Sequence, residues 1–306
     1  MKTALIIPTW NAAEHWADIS ASIRSQSHRP DQVIVIDSAS SDGTATLARA
    51  AGFTVMEIDR AHFSHGGSRQ SAALHAPEAD VLIYLTQDAI PRDRNAFGHL
   101  IAAFRDPAIA AAYGRQLPAR RASAIEAHAR RFNYPPDSRV RSLESRGDLG
   151  FKSIFFSNAF GAYRRQALMD VGGFSPDAQF GEDTLAIARL HLAGWKTVYV
   201  ADALIEHSHG YSIRAEFHRY FDIGVFHRRE RWLIEQFGAP SGEGVRFVLS
   251  ELRFLFRHDP LSIPSALIRT AAKYIAYQAG RQEFTVLPRM KRRMASQPAY
   301  SAERRS

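Results

Sequence analysis

The sequence predicts an α/β fold, a mostly parallel sheet flanked by helices in a Rossmann-like arrangement, with a helical appendage at the C-terminal end. Three observations carry this expectation. Four short apolar runs recur in the first half, at 4–7, 33–36, 54–58 and 81–85, each the length of a buried strand. Segments with helical character, such as 13–27 and 43–51, alternate with them. Charge is divided unevenly: residues 213–306 hold 17 of the 39 Lys and Arg but 9 of the 31 acids, so the whole net charge of +8 falls in the last third.

Taken in order, the first run, "ALII", ends in "PTWN", which brings Thr9 to a strand end. The second, "VIVI", leads into "DSASSDGT", with Asp37 at the strand end and Ser41-Asp42 set to cap the next helix. After the third, "TVMEI", comes "DRAHFSHGGSRQSAAL", in which Gly66-Gly67 reads as a turn, with Arg69 and Gln70 at a helix start. The fourth, "VLIYL", is wholly apolar and then breaks into Thr86-Gln87-Asp88. A helix opens at "GEDTLAIARLHLAGW", and a strand from 196 runs into "EHSHGYS". In the tail, Leu267, Ile268, Ala271, Ile275, Ala276 and Ala279 recur at helical spacing, with Arg269, Lys273 and Arg281 between them. Open sheets of this kind bind ligands at the carboxyl ends of their strands, so the polar residues after each run are the candidates for function.

Composition narrows the classes. With no cysteine, disulfides, thiolate metal sites and cysteine nucleophiles are excluded, and a reducing cytoplasm is expected. No window approaches the roughly 18 to 20 apolar residues of a membrane span, and "MKTALIIPTW" is too short for a signal peptide. Neither GxGxxG nor GxxxxGK[ST] occurs, which removes the usual signatures of dinucleotide and P-loop enzymes. The expected organisation is a catalytic domain over 1–212, a basic helical region over 213–290 and a disordered polar tail over 291–306.

A nucleotide-sugar site must read a base, neutralise a diphosphate and deprotonate a hydroxyl, and each task suits a different residue type. Asp37 can accept the imide N–H of uracil or thymine, or simply cap its own turn. Arg69 can fork onto phosphate oxygens, or lie on the surface. Asp88 can ligate a hard divalent cation, and His207 and His209, two apart on an extended segment, point the same way, so that either can complete the coordination. Glu182 and Asp183 open a helix, where acids are common for dipole reasons. A carboxylate there is also placed to act as general base on an acceptor hydroxyl.

Together these segments resemble family 2 glycosyltransferases, which have the GT-A fold. "ALIIPTWN", "VIVIDSASSDGT", "HGGSRQ", "YLTQDAIP", "SNAFGAYRRQALMDVGGFSP", "GEDTLAIARLHLAGW" and "EHSHGYS" follow in the family's order over about two thirds of the chain. The forms "FSHGGSRQ" and "TQDA" and the tail "YFDIGVFHRRERW" look most like bacterial rhamnosyltransferases that use dTDP-rhamnose. The resemblance implies that Thr9 and Asp37 contact the nucleoside, with Arg69 and Gln87 also on the donor side. It implies that Asp88 holds Mg²⁺ or Mn²⁺, helped by His207 or His209, that Asp183 is the base, and that Asn158, Glu182 and Trp195 line the acceptor side. Such enzymes invert the anomeric centre in one displacement, without the nucleophilic carboxylate of a retaining glycosidase.

One departure bears on the metal. Gln87 stands where a second acid is usual, and fewer carboxylates weaken hard-cation binding. The expected acceptor is a glycan or lipid-linked glycan at the inner membrane face, where a basic helical tail can meet anionic headgroups. Packing of that tail on the catalytic domain, or a homodimer interface, is the alternative. A UDP- or GDP-sugar donor, or a degenerate protein that binds donor without turnover, remains open. A sugar-phosphate nucleotidyltransferase would need a Gly-rich basic loop after its first strand, and "PTWNAAEHW" has none. A nucleic-acid binder would interleave aromatic with basic residues on one platform, whereas here the aromatics are dispersed, and no nucleic-acid partner is expected.

Overall fold

The computed structural model describes residues 1–60, 63–208, 210–239, 242–283 and 294–295. The expectation of disorder over 291–306 and the candidate ligand His209 therefore lie outside the described residues, save Met294 and Ala295.

The strands are β1 (Thr3–Thr9), β2 (Gln32–Asp37), β3 (Thr54–Glu57), β4 (Val81–Leu85), β5 (Ile90–Pro91), β6 (Ile109–Leu117), β7 (Arg139–Arg141), β8 (Phe160–Arg164) and β9 (Lys196–Glu206). The helices begin with α1 (Trp16–Arg24), α2 (Thr44–Ala50), α3 (His65–Leu74), α4 (Ala96–Ala102), α5 (Ala124–Asn133) and α6 (Arg146–Leu149). They continue with α7 (Arg165–Asp170), α8 (Glu182–Leu192), α9 (Ile213–Arg229), α10 (Arg231–Phe237), α11 (Glu243–His258) and α12 (Ile263–Arg281).

Among the described residues all the strands join one sheet, ordered β3-β2-β1-β4-β8-β6-β9-β5, with β7 paired to β9. The four predicted runs form its parallel part, β3-β2-β1-β4. Beyond β4 the sheet is mixed, because β8 runs antiparallel to both β4 and β6 while β6 and β9 are parallel. The inversion has a functional effect. It brings the residues preceding β8, rather than those following it, to the edge where β4 ends: Leu85 pairs with Phe160, and Thr86 N–H donates to Ala159 O at 3.2 Å.

Side chains alternate between two cores, one on each face. On β1, Ala4 and Ile6 join one core and Leu5 and Ile7 the other; on β4, Leu82 and Tyr84 oppose Val81, Ile83 and Leu85. All five residues of β4 are fully buried, the mark of a strand covered on both faces. Helices α1 and α4 cover one face through Trp16, Ile19, Phe97 and Leu100, each such side chain stabilising by about 1.5–3 kcal/mol relative to exposure. The other face is covered by α3, α7 and α8, and also by Phe226 of α9 and Leu233 and Phe237 of α10. The core thus runs across position 212 without a break.

Two local expectations are revised. Gly66 and Gly67 are not a turn but lie in the first turn of α3, capped by Ser64, whose hydroxyl accepts from Gly67 N–H at 2.8 Å. The reason is a close approach: a Cβ on Gly66 would lie 1.9 Å from Ser175 O, and one on Gly67 2.9 Å from Pro176 O. The N-cap of α2 is Gly43, with φ +88°, rather than Ser41 or Asp42, although Asp42 still accepts from Thr44 N–H at 3.0 Å. The predicted tail helix is α12, and it crosses α9 at a glycine pair: a Cβ on Gly280 would meet Phe221 O at 2.1 Å, and one on Gly224 would meet Tyr277 O at 2.2 Å. None of the described helices is long and apolar enough to cross a membrane.

Candidate active site

The carboxyl ends of β1, β2 and β4 lie side by side because the three strands are parallel and in register, Thr9 facing Asp37 directly. Asp37 is buried, and its carboxylate accepts from Thr9 Oγ1 at 3.2 Å, Ser40 N–H at 2.8 Å and Ser40 Oγ at 2.6 Å. It caps its turn, and a carboxylate with two oxygens retains lone pairs beyond these bonds. Gln87 closes the gap between β1 and β4: its Oε1 accepts from Trp10 N–H at 2.7 Å and its Nε2 donates to Trp10 O at 3.1 Å. The residue at the usual position of a second acid is therefore an amide clasp between two strand ends.

Asp88 and His207 meet because β5 pairs antiparallel with β9, Ile90 opposite Glu206, which brings the residue two before Ile90 beside the residue after Glu206. Asp88 Oδ2 lies 3.3 Å from His207 Nε2. Gln116, at the end of β6, assigns the imidazole tautomer. Its Nε2 donates to Ser157 Oγ at 2.8 Å, so its Oε1 is the acceptor for both Arg130 Nη1 at 2.7 Å and His207 Nδ1–H at 2.8 Å. Nε2 is left to face the carboxylate, the second-sphere arrangement by which ligating histidines are oriented.

On the other side of Ser157 lies the acidic pair. Asn158 is buried; its side-chain amide donates to Glu182 Oε1 at 3.1 Å, its Oδ1 accepts from Tyr163 Oη at 2.8 Å, and its backbone N–H points to Asp183 Oδ2 at 3.4 Å. Arg69 Nη1 lies 3.2 Å from Glu182 Oε1 and 3.3 Å from His65 Nδ1, with the Arg69 and Glu182 side chains both buried. Burial opposes ionisation of Glu182, but Arg69, His65 and the Asn158 amide together outweigh it and hold its carboxyl below the ordinary range. Asp183 is half-buried, and burial followed by the adjacent Glu182 charge pushes it up to about 7. Burial lowers His65 to about 4, partly offset by the Glu182 carboxylate.

Asp183 and the Asp88–His207 pair are therefore joined by one relay of side chains and backbone, His207–Gln116–Ser157–Asn158–Asp183. Gln116, Ser157, His65 and Tyr163 were not singled out in the sequence. Gln116 follows the strand-end rule, but "IAAAYGRQL" is too rich in alanine to read as a strand.

Trp195 lies apart from these residues. It follows the C-terminal end of α8, a helix about 16 Å long whose other end carries Asp183, and it stands just before the start of β9, whose far end carries His207. It is partly buried and packs against the core. The N-terminal end of α8 is fixed by Gly181, at φ +72°, where a Cβ would lie 2.6 Å from the Phe226 ring of α9.

The comparisons with known proteins fit this geometry. A sequence profile described as glycosyltransferase like family 2 matches residues 2–234. The chain belongs to glycosyltransferase family 2. This family 2 glycosyltransferase is 45% identical over 282 residues to the O-antigen chain rhamnosyltransferase RfbN of Salmonella typhimurium, covering 92% of the chain and 90% of the relative. It is 41% identical over 278 residues to the O-antigen chain rhamnosyltransferase WbaN of Salmonella anatum, covering 90% and 88%. In fold it is similar to the mannosyltransferase PcManGT from Pyrobaculum calidifontis, solved with GDP-Man and Mn²⁺, at TM-score 0.58 and 17% identity over 98% of this chain and 84% of that one. It is also similar to S. aureus TarS 1-349 in complex with UDP-GlcNAc, at TM-score 0.52 and 15% identity over 93% and 91%. These likenesses bear out the GT-A fold.

Among the described residues no group of three or more His, Cys, Asp and Glu side chains converges as a metal site. The Asp88–His207 pair offers one hard oxygen and one imidazole nitrogen, a donor set that fits a divalent cation sharing its other positions with ligand oxygens or water. Thr86 Oγ1, buried next to this pair in the chain, lacks a hydrogen-bond partner among the described residues.

Proposed function

We propose that this glycosyltransferase moves rhamnose from dTDP-rhamnose onto a hydroxyl of a glycan or lipid-linked glycan in O-antigen-type polysaccharide synthesis, with inversion at the anomeric carbon. Two relatives that bear the name O-antigen chain rhamnosyltransferase, matched along some nine tenths of their length, support the sugar and the pathway class. The reading puts the enzyme in the cytoplasm, at the inner face of the membrane.

The observation that carries the chemistry is a carboxylate raised to about 7, tied through Asn158, Ser157 and Gln116 to the Asp88–His207 pair. A base works best when its pKa lies near the operating pH. Asp183 takes the proton of the acceptor hydroxyl as that oxygen bonds to the anomeric carbon and the bond to the diphosphate oxygen breaks. One displacement inverts the centre, so a second, nucleophilic carboxylate has no role. That leaves Glu182, paired with Arg69, to orient Asp183 and Asn158. Asp37 and Thr9 would receive the thymine and its sugar at the strand ends. Asp88 and His207 would hold Mg²⁺ or Mn²⁺, with the imidazole favouring Mn²⁺ over the more oxygen-demanding Mg²⁺. When bound, the cation supplies neutralisation of the diphosphate leaving group.

A thermal-shift panel of dTDP-rhamnose, UDP-sugars and GDP-sugars, with and without Mn²⁺, tests this reading. Selective stabilisation by dTDP-rhamnose, larger with Mn²⁺, is expected. Selective stabilisation by a UDP- or GDP-sugar would overturn the donor assignment.

A further inference from the structure

More than half of the exposed large hydrophobic side chains among the described residues lie between Val245 and Ile275. They are not scattered. On α11, the exposed Val245, Leu249 and Phe256 and the half-buried Leu252 follow at intervals of four, three and four, a single stripe along the helix. Phe256 is 73% exposed, and Leu261, in the turn that leads to α12, is 92% exposed. On α12 the exposed Leu267, Ala271 and Tyr274 repeat the pattern, with Ile268 and Ile275 beside them. The side of α11 away from the stripe is the one that packs: Phe247 meets the His128 ring edge-on, Phe254 packs tilted against it, and Leu255 is buried.

Charge accompanies the stripe. Arg246, Arg253 and Arg257, all exposed, form a row one step around the helix from Val245, Leu252 and Phe256. Of the acids of α11, Glu251 is buried, and Glu243, at the first turn, is shared between Lys152 and Arg246, so neither pairs with Arg253 or Arg257. Helix α12 contains no acid at all. Of the basic residues that the sequence sets between its apolar positions, Arg269 is spent inward on Glu216 and Tyr211 O and Lys273 on Glu216, while Arg281 is exposed at the helix end.

We infer that the exposed faces of α11 and α12, with Leu261 between them, dock on an anionic lipid surface. An apolar stripe flanked by arginines is the pattern of a helix lying in a membrane interface, its apolar side chains among acyl chains and its guanidinium groups at the phosphates. A second copy of the chain fits less well. In a two-fold pair the same surface meets itself, and the arginine row would face either its own copy or the uncharged face of α12. The inference adds to the proposed function the surface that presents the cleft to a lipid-linked acceptor.

The test is flotation of the full chain with phosphatidylcholine vesicles, with and without phosphatidylglycerol. Binding is expected chiefly to the anionic vesicles and should weaken with salt. Phe256→Glu with Leu261→Glu should abolish it, and Arg246→Gln, Arg253→Gln and Arg257→Gln together should lower it on the order of a hundredfold. Both variants should keep the wild-type melting temperature and transfer to a water-soluble acceptor. Equal binding to both vesicles, or to neither, would overturn the inference, as would a dimer in solution that Phe256→Glu splits. Failure of the donor assignment would leave the flotation result standing, so the two readings fail separately.

Discussion

Arg69 sits 3.2 Å from the Glu182 carboxylate and favours its ionised form, and that fixed negative charge adds to burial in raising the neighbouring Asp183 to about 7. Two adjacent carboxylates are thus driven apart by their surroundings, one held as a counter-ion and the other suited to the proton-accepting role proposed for it.

The pH profile follows. In the proposed mechanism Asp183 must be ionised to act, so kcat/KM should fall as pH drops through about 7. Glu182→Gln removes the like charge, and its acidic limb should move to lower pH. An unmoved limb would mean that burial alone raises Asp183.

Asp183→Asn should lower transfer by about 10²–10⁴-fold while donor binding persists. The same substitution should stabilise the fold. A buried acid raised from 3.8 to about 7 contributes stability fully below the lower value and loses it as pH rises to the upper one, so the variant's advantage grows across that interval and then levels off. Melting temperatures taken across this range measure it.

Gln116→Met leaves Asp88 and His207 in place but deprives the imidazole of its acceptor. Mn²⁺ affinity, read by titration calorimetry, should fall about 10–100-fold. His207→Ala should weaken it further, and EDTA should remove wild-type activity until Mn²⁺ or Mg²⁺ is returned.

Gly280→Ala tests the crossing of α9 and α12. Its Cβ would meet Phe221 O at 2.1 Å, so the helices must separate, at a cost of about 1–3 kcal/mol in thermal or denaturant unfolding.

Trp195→Phe should leave kcat/KM within about two-fold, because the ring packs against the core rather than the cleft. Asn158→Ala, by contrast, removes an amide that Glu182 uses and should reduce kcat.

The parallel half of the sheet was legible because strands buried on both faces must be continuously apolar, and each ends in a polar residue that stands out. The segment before β8 was harder to interpret. Nothing local says that Phe160–Arg164 runs antiparallel, so Asn158 could be chosen by resemblance but not by strand-end logic. The distance of Trp195 from Asp183 was not legible either, because nearness in sequence says little across an intervening helix. The glycines at 66 and 67 were misread because a close approach by a segment more than a hundred residues away leaves no trace in their own neighbours.

The contact between Gly181 and the Phe226 ring limits how this enzyme can be rebuilt. A chimera that exchanges the chain after position 212 for another transferase's extension would import a different residue opposite the turn that aims Asp183. Such grafts should keep Phe226 with its native Gly181, and the join belongs beyond α10, the helix within which the profile match ends.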